Sequence, residues 1–287
     1  MTKDNNDSLQ ELTWLEPQTP EQIVAELIEK YQKDSFYVLF SGGKDSVCIA
    51  DFISKNYPEY FKGVIFTNTG LGTQATRKWV IEYAKARNWP LIMTWARKSF
   101  YDIVMEKGFP NMGAHKIIMG YLKFQSWYYL YRDHLKGLGG KPCFISGVRK
   151  KESWARDKVK FYSKKPIDVN ATMTFCKPFL FKNGSQLLQY FIENGLQKSP
   201  AYDWFDKSGE CWCGCYNHPW ELKMLERYDS LTFNTIQWLE KQLQVHGTKE
   251  AKKFPNWGRS VGADYSKMQT GLFDVNEDYC GESCVVG

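Results

Sequence analysis

Nowhere in the 287 residues do about 18 apolar side chains run together, so the sequence offers no membrane-spanning helix. Residues Met1 to Gln10 are polar and acidic, without the basic and apolar stretches of a secretory signal, and the expected compartment is the cytoplasm. No repeat recurs at a fixed period and no low-complexity tract dominates, which excludes solenoids and long disordered segments. Charge of one sign is scarcely in excess. A formal net charge of +6 excludes a strongly basic surface as the main theme, yet suits an anionic ligand that needs only a local positive pocket. The runs Arg149-Lys150-Lys151 and Lys164-Lys165 read first as solvated faces. In the cytoplasm eight cysteines do not form a disulfide framework, which leaves metal binding, redox chemistry or catalysis to be tested.

What is present is an ordinary globular composition, 43% hydrophobic and 24% charged, with a high aromatic share of 16%. Thr19-Pro20 opens an amphipathic helix through Lys30, with Thr19 as N-cap. Ser35 to Phe40 is a β-rich run that passes through two glycines into a helical stretch. Strands at Gly63 to Thr67 and Leu91 to Thr94 flank a helix from about Thr73 to Asn88, and a further strand is expected at Pro142 to Ser146. This alternation predicts an α/β fold, a doubly wound and mostly parallel sheet with helices on both faces and ligands at the carboxyl ends of its strands. Residues 98 to 136 read as helices rich in Tyr, Trp and Lys, within which Trp127, Tyr128 and Tyr131 recur at helical spacing. From about residue 157 the alternation decays around two expected helices, Ser185 to Asn194 and Pro219 to Leu243. The expected organisation is a leader over 1–19, a nucleotide-binding domain over 20–160, and a smaller Cys-containing, mostly helical C-terminal module with a flexible tail over 161–287.

Ser41-Gly42-Gly43-Lys44-Asp45-Ser46 joins the first strand to its helix. Glycines there let main-chain N–H groups approach phosphate oxygens, and the helix N-terminus adds a favourable dipole. Lys44 supplies a point charge, Ser41 and Ser46 supply hydroxyls, and Asp45 orients the loop or helps hold Mg²⁺. The loop lacks the longer spacing of a Walker A motif, which points away from γ-phosphate transfer. A second segment, Arg149 and Arg156 on either side of Ser153, suits bidentate binding of phosphate or sulfate.

SGGKDS resembles the signature of the adenine nucleotide alpha hydrolase superfamily, the PP-loop ATP pyrophosphatases, and within it the chain is most similar to the phosphoadenosine phosphosulfate (PAPS) reductase family. Phe66-Thr67-Asn68-Thr69-Gly70 resembles that family's Asp-Thr-Gly segment, and Ser146 to Arg156 resembles its Gly-x-Arg-x-x-x-Ser-x-x-Arg segment. The resemblance covers roughly residues 20 to 180 and implies nucleotide contacts from Ser41 to Ser46, Thr69, Gly70, Arg149, Ser153 and Arg156, with Lys44 and Asp45 catalytic. Asn68 departs from the pattern, standing where the family has Asp.

Cys211, Cys213 and Cys215 fall within five residues, with Cys176 upstream and His218 close behind. Thiolates at this density suit Zn²⁺ or an iron-sulfur cluster, each taking four ligands, and Cys176, Cys211, Cys213 and Cys215 are the expected metal set. Catalytic or persulfide-carrying thiols are the other reading. Cys280 and Cys284 are placed as catalytic by resemblance to the C-terminal cysteine of PAPS reductases, which attacks a sulfonucleotide and is resolved by thioredoxin. Cys48 and Cys143 read as buried apolar residues.

Three functions follow. The first is an enzyme that binds ATP with Mg²⁺, cleaves it at the α-phosphate with release of pyrophosphate, and transfers sulfur from a donor through a cysteine-bound cluster or persulfide. The second is a PAPS or adenylylsulfate reductase with a thioredoxin-like reductant. The third is a non-catalytic nucleotide-sensing subunit of a nucleic-acid-modifying complex, with the aromatics from Trp127 to Tyr131 as its docking surface. A homo-oligomer or a subunit of a larger complex is expected.

Overall fold

The computed structural model describes residues 17–150, 156, 158–168 and 171–258. Helix α1 (Pro20–Glu29) starts as its sequence predicts: Gln22 N–H donates to the Thr19 hydroxyl, and the Gln22 side chain accepts from Thr19 N–H. Then follow β1 (Ser35–Leu39), α2 (Lys44–Asn56), β2 (Phe61–Asn68), α3 (Gln74–Ala86), β3 (Leu91–Trp95) and α4 (Phe100–Lys107). Next come α5 (His115–Met119), a π-turn over Gly120–Phe124, α6 (Gln125–Leu130), a second π-turn over Tyr131–Leu135, and β4 (Pro142–Ile145).

The six strands run in the order β3-β2-β1-β4-β6-β5. All neighbours are parallel except the edge strand β5 (Tyr162–Asp168), which pairs antiparallel with β6 (Ala171–Cys176). The expected doubly wound, mostly parallel sheet is the fold of this chain. The strands β5 and β6 went unseen in the sequence, and they extend the sheet past residue 160, into the segment read as a separate module. The reason is physical: an edge strand such as Tyr162–Asp168 carries two lysines and Pro166, which protect an open edge and erase the apolar alternation that marks a strand. Lys165 of that pair is not a solvated charge, because its ammonium lies 3.9 Å from the Phe124 ring centroid.

Two cores cover the sheet. On one face α1, α2, α3 and α7 (Gly184–Glu193) bury Ile23, Leu27, Val47, Ile49 and Val80 against Phe36, Val38 and Val64. On the other, Phe124, Trp127 and Leu135 cover Tyr37, Ile65, Phe144 and Phe175, with Tyr128 and Tyr131 partly buried against them. Cys48 and Cys143 are wholly buried, as expected, and burial raises both thiols to about 12.

A third core joins α4 to α8 (Tyr202–Phe205), α9 (Glu221–Tyr228) and α10 (Ser230–His246) around Trp212. The single helix expected from Pro219 to Leu243 is broken at Asp229, whose backbone leaves the helical region (φ −148°, ψ 70°) and whose carboxylate accepts from the Thr232 hydroxyl in the first turn of α10. No helix among the described residues is long and apolar enough to cross a membrane.

Gly63 in β2 has φ +132°, and a Cβ there would sit 2.3 Å from the Pro90 carbonyl oxygen, the acceptor of the Val64 N–H. Gly63→Ala is expected to destabilise the fold by about 1–3 kcal/mol through backbone displacement. Urea denaturation reads this as a lower midpoint at unchanged slope; an unchanged midpoint would contradict the packing described.

Candidate functional site

The chain leaves β1 for β2 and β3 on one side and returns through β4, β6 and β5 on the other, so β1 and β4 flank the switch point where open α/β sheets bind ligands. A cleft of about 660 Å³ opens there. Its floor is Ser41, Gly43, Asp45 and Ser46; Ser146 to Val148 and Arg156 form one wall, and Thr67, Lys123, Trp127, Tyr202 and Glu210 the other.

Gly42 adopts φ +79°, which bends the loop, and Gly43 caps α2 with no side chain of its own. Hydroxyls brace the turn: Ser46 Oγ donates to the Gly43 carbonyl at 2.8 Å, while Ser41 N–H donates to Ser46 Oγ at 3.2 Å. Gly147 must be glycine for close approach, since a Cβ would come within 2.7 Å of the Asp45 carbonyl. Arg149 does not line the cleft but donates through Nε to Asp45 Oδ1 at 2.5 Å, fixing that carboxylate from behind. Lys44 is half-buried, its ammonium 6.0 Å from the Tyr202 ring centroid. Arg156 is buried in the wall, and loss of solvent lowers its guanidinium to about 10 in spite of Asp45 nearby.

The residue types and spacing did not reveal Lys123, Glu210, Trp127, Thr67 and Tyr202. Lys123 stands in the π-turn within Tyr121-Leu122-Lys123-Phe124, and a charge inside an apolar helical run was the available signal. It forms a buried ion pair with Glu210. Burial alone would lower the Lys123 ammonium, but the Glu210 carboxylate, with Cys211 and Cys213 nearby, outweighs it and holds it raised. Trp127 Nε1 donates to Thr67 Oγ1 at 2.8 Å, and Thr94 donates to the same oxygen at 3.0 Å.

Glu210 reaches the cleft because residues 208–212 are sewn to the loop after β2. Thr76 Oγ1 donates to Ser208 O, Thr73 N–H to Gly209 O, Thr69 Oγ1 to Glu210 O, and Trp212 N–H to Leu71 O, over 2.6 to 3.2 Å. The hydroxyl of Thr69 is thereby spent on this seam, and Gly70 lines a second cavity on the outer side of β2, bordered also by Arg77, Thr232 and Glu210. Asn68 keeps the turn that a carboxylate would make, its Oδ1 accepting from Gly70 N–H at 2.9 Å, while removing the charge.

The four cysteines expected to share a metal are not brought together. Cys176 ends β6 and is packed in the core between the sheet and α2, whereas Cys211, Cys213 and Cys215 belong to the core around Trp212. Among the described residues no group of three or more His, Cys, Asp or Glu side chains is arranged to hold a metal ion. The residues do not fit a four-cysteine centre with Cys176. The neighbouring Cys213 thiol and burial raise Cys211, the one of the three not classed as buried. For Mg²⁺ the residue type is suitable: Asp45 offers a carboxylate beside the Ser41–Ser46 turn, and Mg²⁺ commonly takes one or two carboxylates plus substrate phosphates. Ser153, Cys280 and Cys284 lie outside the described residues.

A glycine-bent loop braced by two serines, set at the switch point of a mostly parallel sheet, defines a PP-loop protein of the adenine nucleotide alpha hydrolase superfamily. The chain belongs to the phosphoadenosine phosphosulfate reductase domain family, whose model matches residues 35–217, and is thus a PP-loop nucleotide-binding enzyme. No curated protein sequence matches it. Among solved structures it is similar to a PAPS reductase from Candida auris in a phosphate complex (18% identity, 65% of this chain and 84% of that one, TM-score 0.46). It is also similar to FMN adenylyltransferase from Candida glabrata with FMN and an ATP analogue (12% identity, 63% of this chain, TM-score 0.44), of which it spans 57%. Yeast FAD synthetase with FAD is a further neighbour (11% identity, 66% of this chain and 62% of that one, TM-score 0.40).

The charges of the cleft wall generate two predictions. Glu210→Gln strands the Lys123 charge and is expected to cost about 3–5 kcal/mol, whereas replacing both residues by Met restores most of it. Urea denaturation of the two variants checks this, and equal stability of Glu210→Gln and wild type would contradict it. Burial, together with the charges of Lys123 and Arg156, pushes His115 down from 6.5 to about 4. The unfolded imidazole therefore takes up its proton first as pH falls, so stability drops between pH 6.5 and 4 and His115 adds no further loss below. Chemical denaturation over that range is expected to show a shallower decline in His115→Gln; parallel curves would contradict it.

Proposed function

We propose that this protein binds ATP in the cleft between β1 and β4 and cleaves it at the α-phosphate, releasing pyrophosphate as an acceptor oxygen takes the adenylyl group. The observation that carries the reading is the intact Ser41–Ser46 turn, with backbone N–H groups at the start of α2 and the buried Arg156 guanidinium across the cleft from it. Such preorganised donors stabilise charge that develops on a leaving pyrophosphate. Lys44 adds positive charge, Arg149 holds Asp45 in position, and Mg²⁺ bound at Asp45 would neutralise phosphate charge.

Adenylation turns a poor oxygen leaving group into AMP, and the seam from Ser208 to Trp212 supports sulfur as the incoming nucleophile, because it ties Cys211 to the segment that walls the cleft. The outer sulfur of a persulfide on Cys211 forms its bond to the acceptor as the bond to AMP breaks. The Cys213 thiol then attacks Cys211 Sγ, so that the S–S bond to the acceptor breaks and a Cys211–Cys213 disulfide forms, and an external dithiol reductant reduces that disulfide. Cys211 is the member of the run with solvent access.

Incubation with α-labelled ATP and Mg²⁺ is expected to give AMP and pyrophosphate, and Lys44→Ala to lower that rate by about 10²–10³-fold. Cys211→Ser should retain AMP formation and lose sulfur incorporation. Formation of ADP instead would contradict cleavage at the α-phosphate. Sulfite release from PAPS that needs no ATP and is lost in Cys280→Ser or Cys284→Ser would replace this reading with a reductase.

A further inference from the structure

The two edges of the sheet are built differently. At one, β5 carries Lys164, Lys165 and Asp168 with Pro166 among them, the means by which an open strand avoids pairing with another. At the other, β3 reads Leu-Ile-Met-Thr-Trp from Leu91 to Trp95, without a charge or a proline, and its last residue is 59% exposed.

Hydrogen-bond parity shows what this second edge offers. Val64 N–H donates to the Pro90 carbonyl at 2.8 Å just before β3, and Ala96 N–H donates to the Asn68 carbonyl at 3.1 Å just after it. With Val64 in register with Leu91 and Asn68 with Trp95, those bonds commit Ile92 and Thr94 to β2 and turn the N–H and C=O groups of Leu91, Met93 and Trp95 outward. Among the described residues no strand lies beyond them. Side chains follow the same alternation: Leu91 and Met93 pack on the α3 face and Ile92 on the opposite face, so Trp95 belongs with Leu91 and Met93.

We propose that β3 pairs antiparallel with β3 of a second copy of this chain, about a two-fold axis at Met93, joining two six-stranded sheets into one. In that register Met93 meets its own counterpart and Leu91 meets the second copy's Trp95, each pair exchanging two main-chain hydrogen bonds. The partly buried Leu91 side chain thereby closes over the exposed indole of the other copy.

Charge and closure select a second copy as the occupant. The guarded β5 edge does not accept a strand, so a head-to-tail chain of molecules is disfavoured and the isologous pair closes on itself. A charged partner strand would bury its charges against five uncharged residues, whereas the first cations after β3, Arg97 and Lys98, fall opposite Trp89 and Asn88 in the antiparallel register and stay clear of their own copies. Five residues give about 17 Å of edge. Helices α3 and α6 flank β3 on its two faces, each adding a layer about 10 Å thick. The surface buried by the two copies together is then on the order of 1,000 Å², the low end for a specific interface, which implies dissociation in the micromolar range.

Sedimentation equilibrium of the full chain over about 1 to 100 μM tests the interface without any nucleotide. The expected result is a monomer–dimer equilibrium that Trp95→Lys weakens at least about tenfold. Ile192→Lys and Val245→Lys, at apolar positions on α7 and α10 that are each 67% exposed, should leave it unchanged. Cross-linking reads the register separately. Leu91→Cys protein mixed with Trp95→Cys protein is expected to form a disulfide between the two chains on mild oxidation, since such facing residues stand about 5.5 Å apart at Cα, and neither variant should do so through that position alone. Mass spectrometry of the joined peptides distinguishes this bond from any involving the native thiols. A chain that stays monomeric throughout, a dimer indifferent to Trp95→Lys, a dimer lost in the Ile192 or Val245 variant, or cross-linking of a single variant in preference to the mixture would overturn the proposal. A β3 edge covered by another segment of its own chain would give the first of these results.

Discussion

The main-chain seam between residues 208–212 and the loop after β2 is the constraint on which the site depends. The bonds from Thr69, Thr73, Thr76 and Trp212 join segments more than 120 residues apart. Without them the Ser41–Ser46 loop would keep its shape, but one wall of the cleft and the thiol run would have no fixed relation to it. The close approach leaves no room for side chains: a Cβ at Gly72 would lie 2.5 Å from the Glu210 carbonyl, and one at Gly209 2.7 Å from Ala201. Close backbone approach and these hydrogen bonds hold the C-terminal segment against the sheet.

That arrangement also explains the buried Lys123–Glu210 pair. A charge at the end of the seam would be costly in a low-dielectric wall, and Lys123 in its π-turn neutralises it. The pair links the helix over one sheet face to the cysteine-bearing segment, while Arg149 and Asp45 link the loop after β4 to the loop after β1. Two ion pairs thus close the cleft from two sides, one buried deeply and one at its base.

The sequence made the Ser41–Ser46 turn, the strands β1 to β4 and the helices around them legible, because Gly-Gly between an apolar run and a helical period has few structural meanings. It also made Arg149 and Arg156 visible, although their tasks divide: Arg156 lines the cleft and Arg149 steadies Asp45. The strands β5 and β6 were illegible, since an edge strand must carry charges and Pro166 to stay soluble, and Cys176 at the end of β6 was read as a metal ligand. That cysteine is a core residue of a strand end, and proximity in a cysteine count is no guide to proximity across a sheet. Glu210 and Lys123 were hidden for a related reason, as their meaning arises only from contact over 87 residues.

The most direct test of the account is a crystal structure with α,β-methylene ATP, which cannot be split at the α-phosphate. The account predicts the triphosphate along Ser41 to Ser46, with the nucleoside in the cleft toward Thr67 and Trp127 and Arg156 near the phosphates. A nucleotide seated instead in the cavity beside Asn68 and Arg77, or one whose phosphates lie away from Gly42 and Gly43, would contradict it.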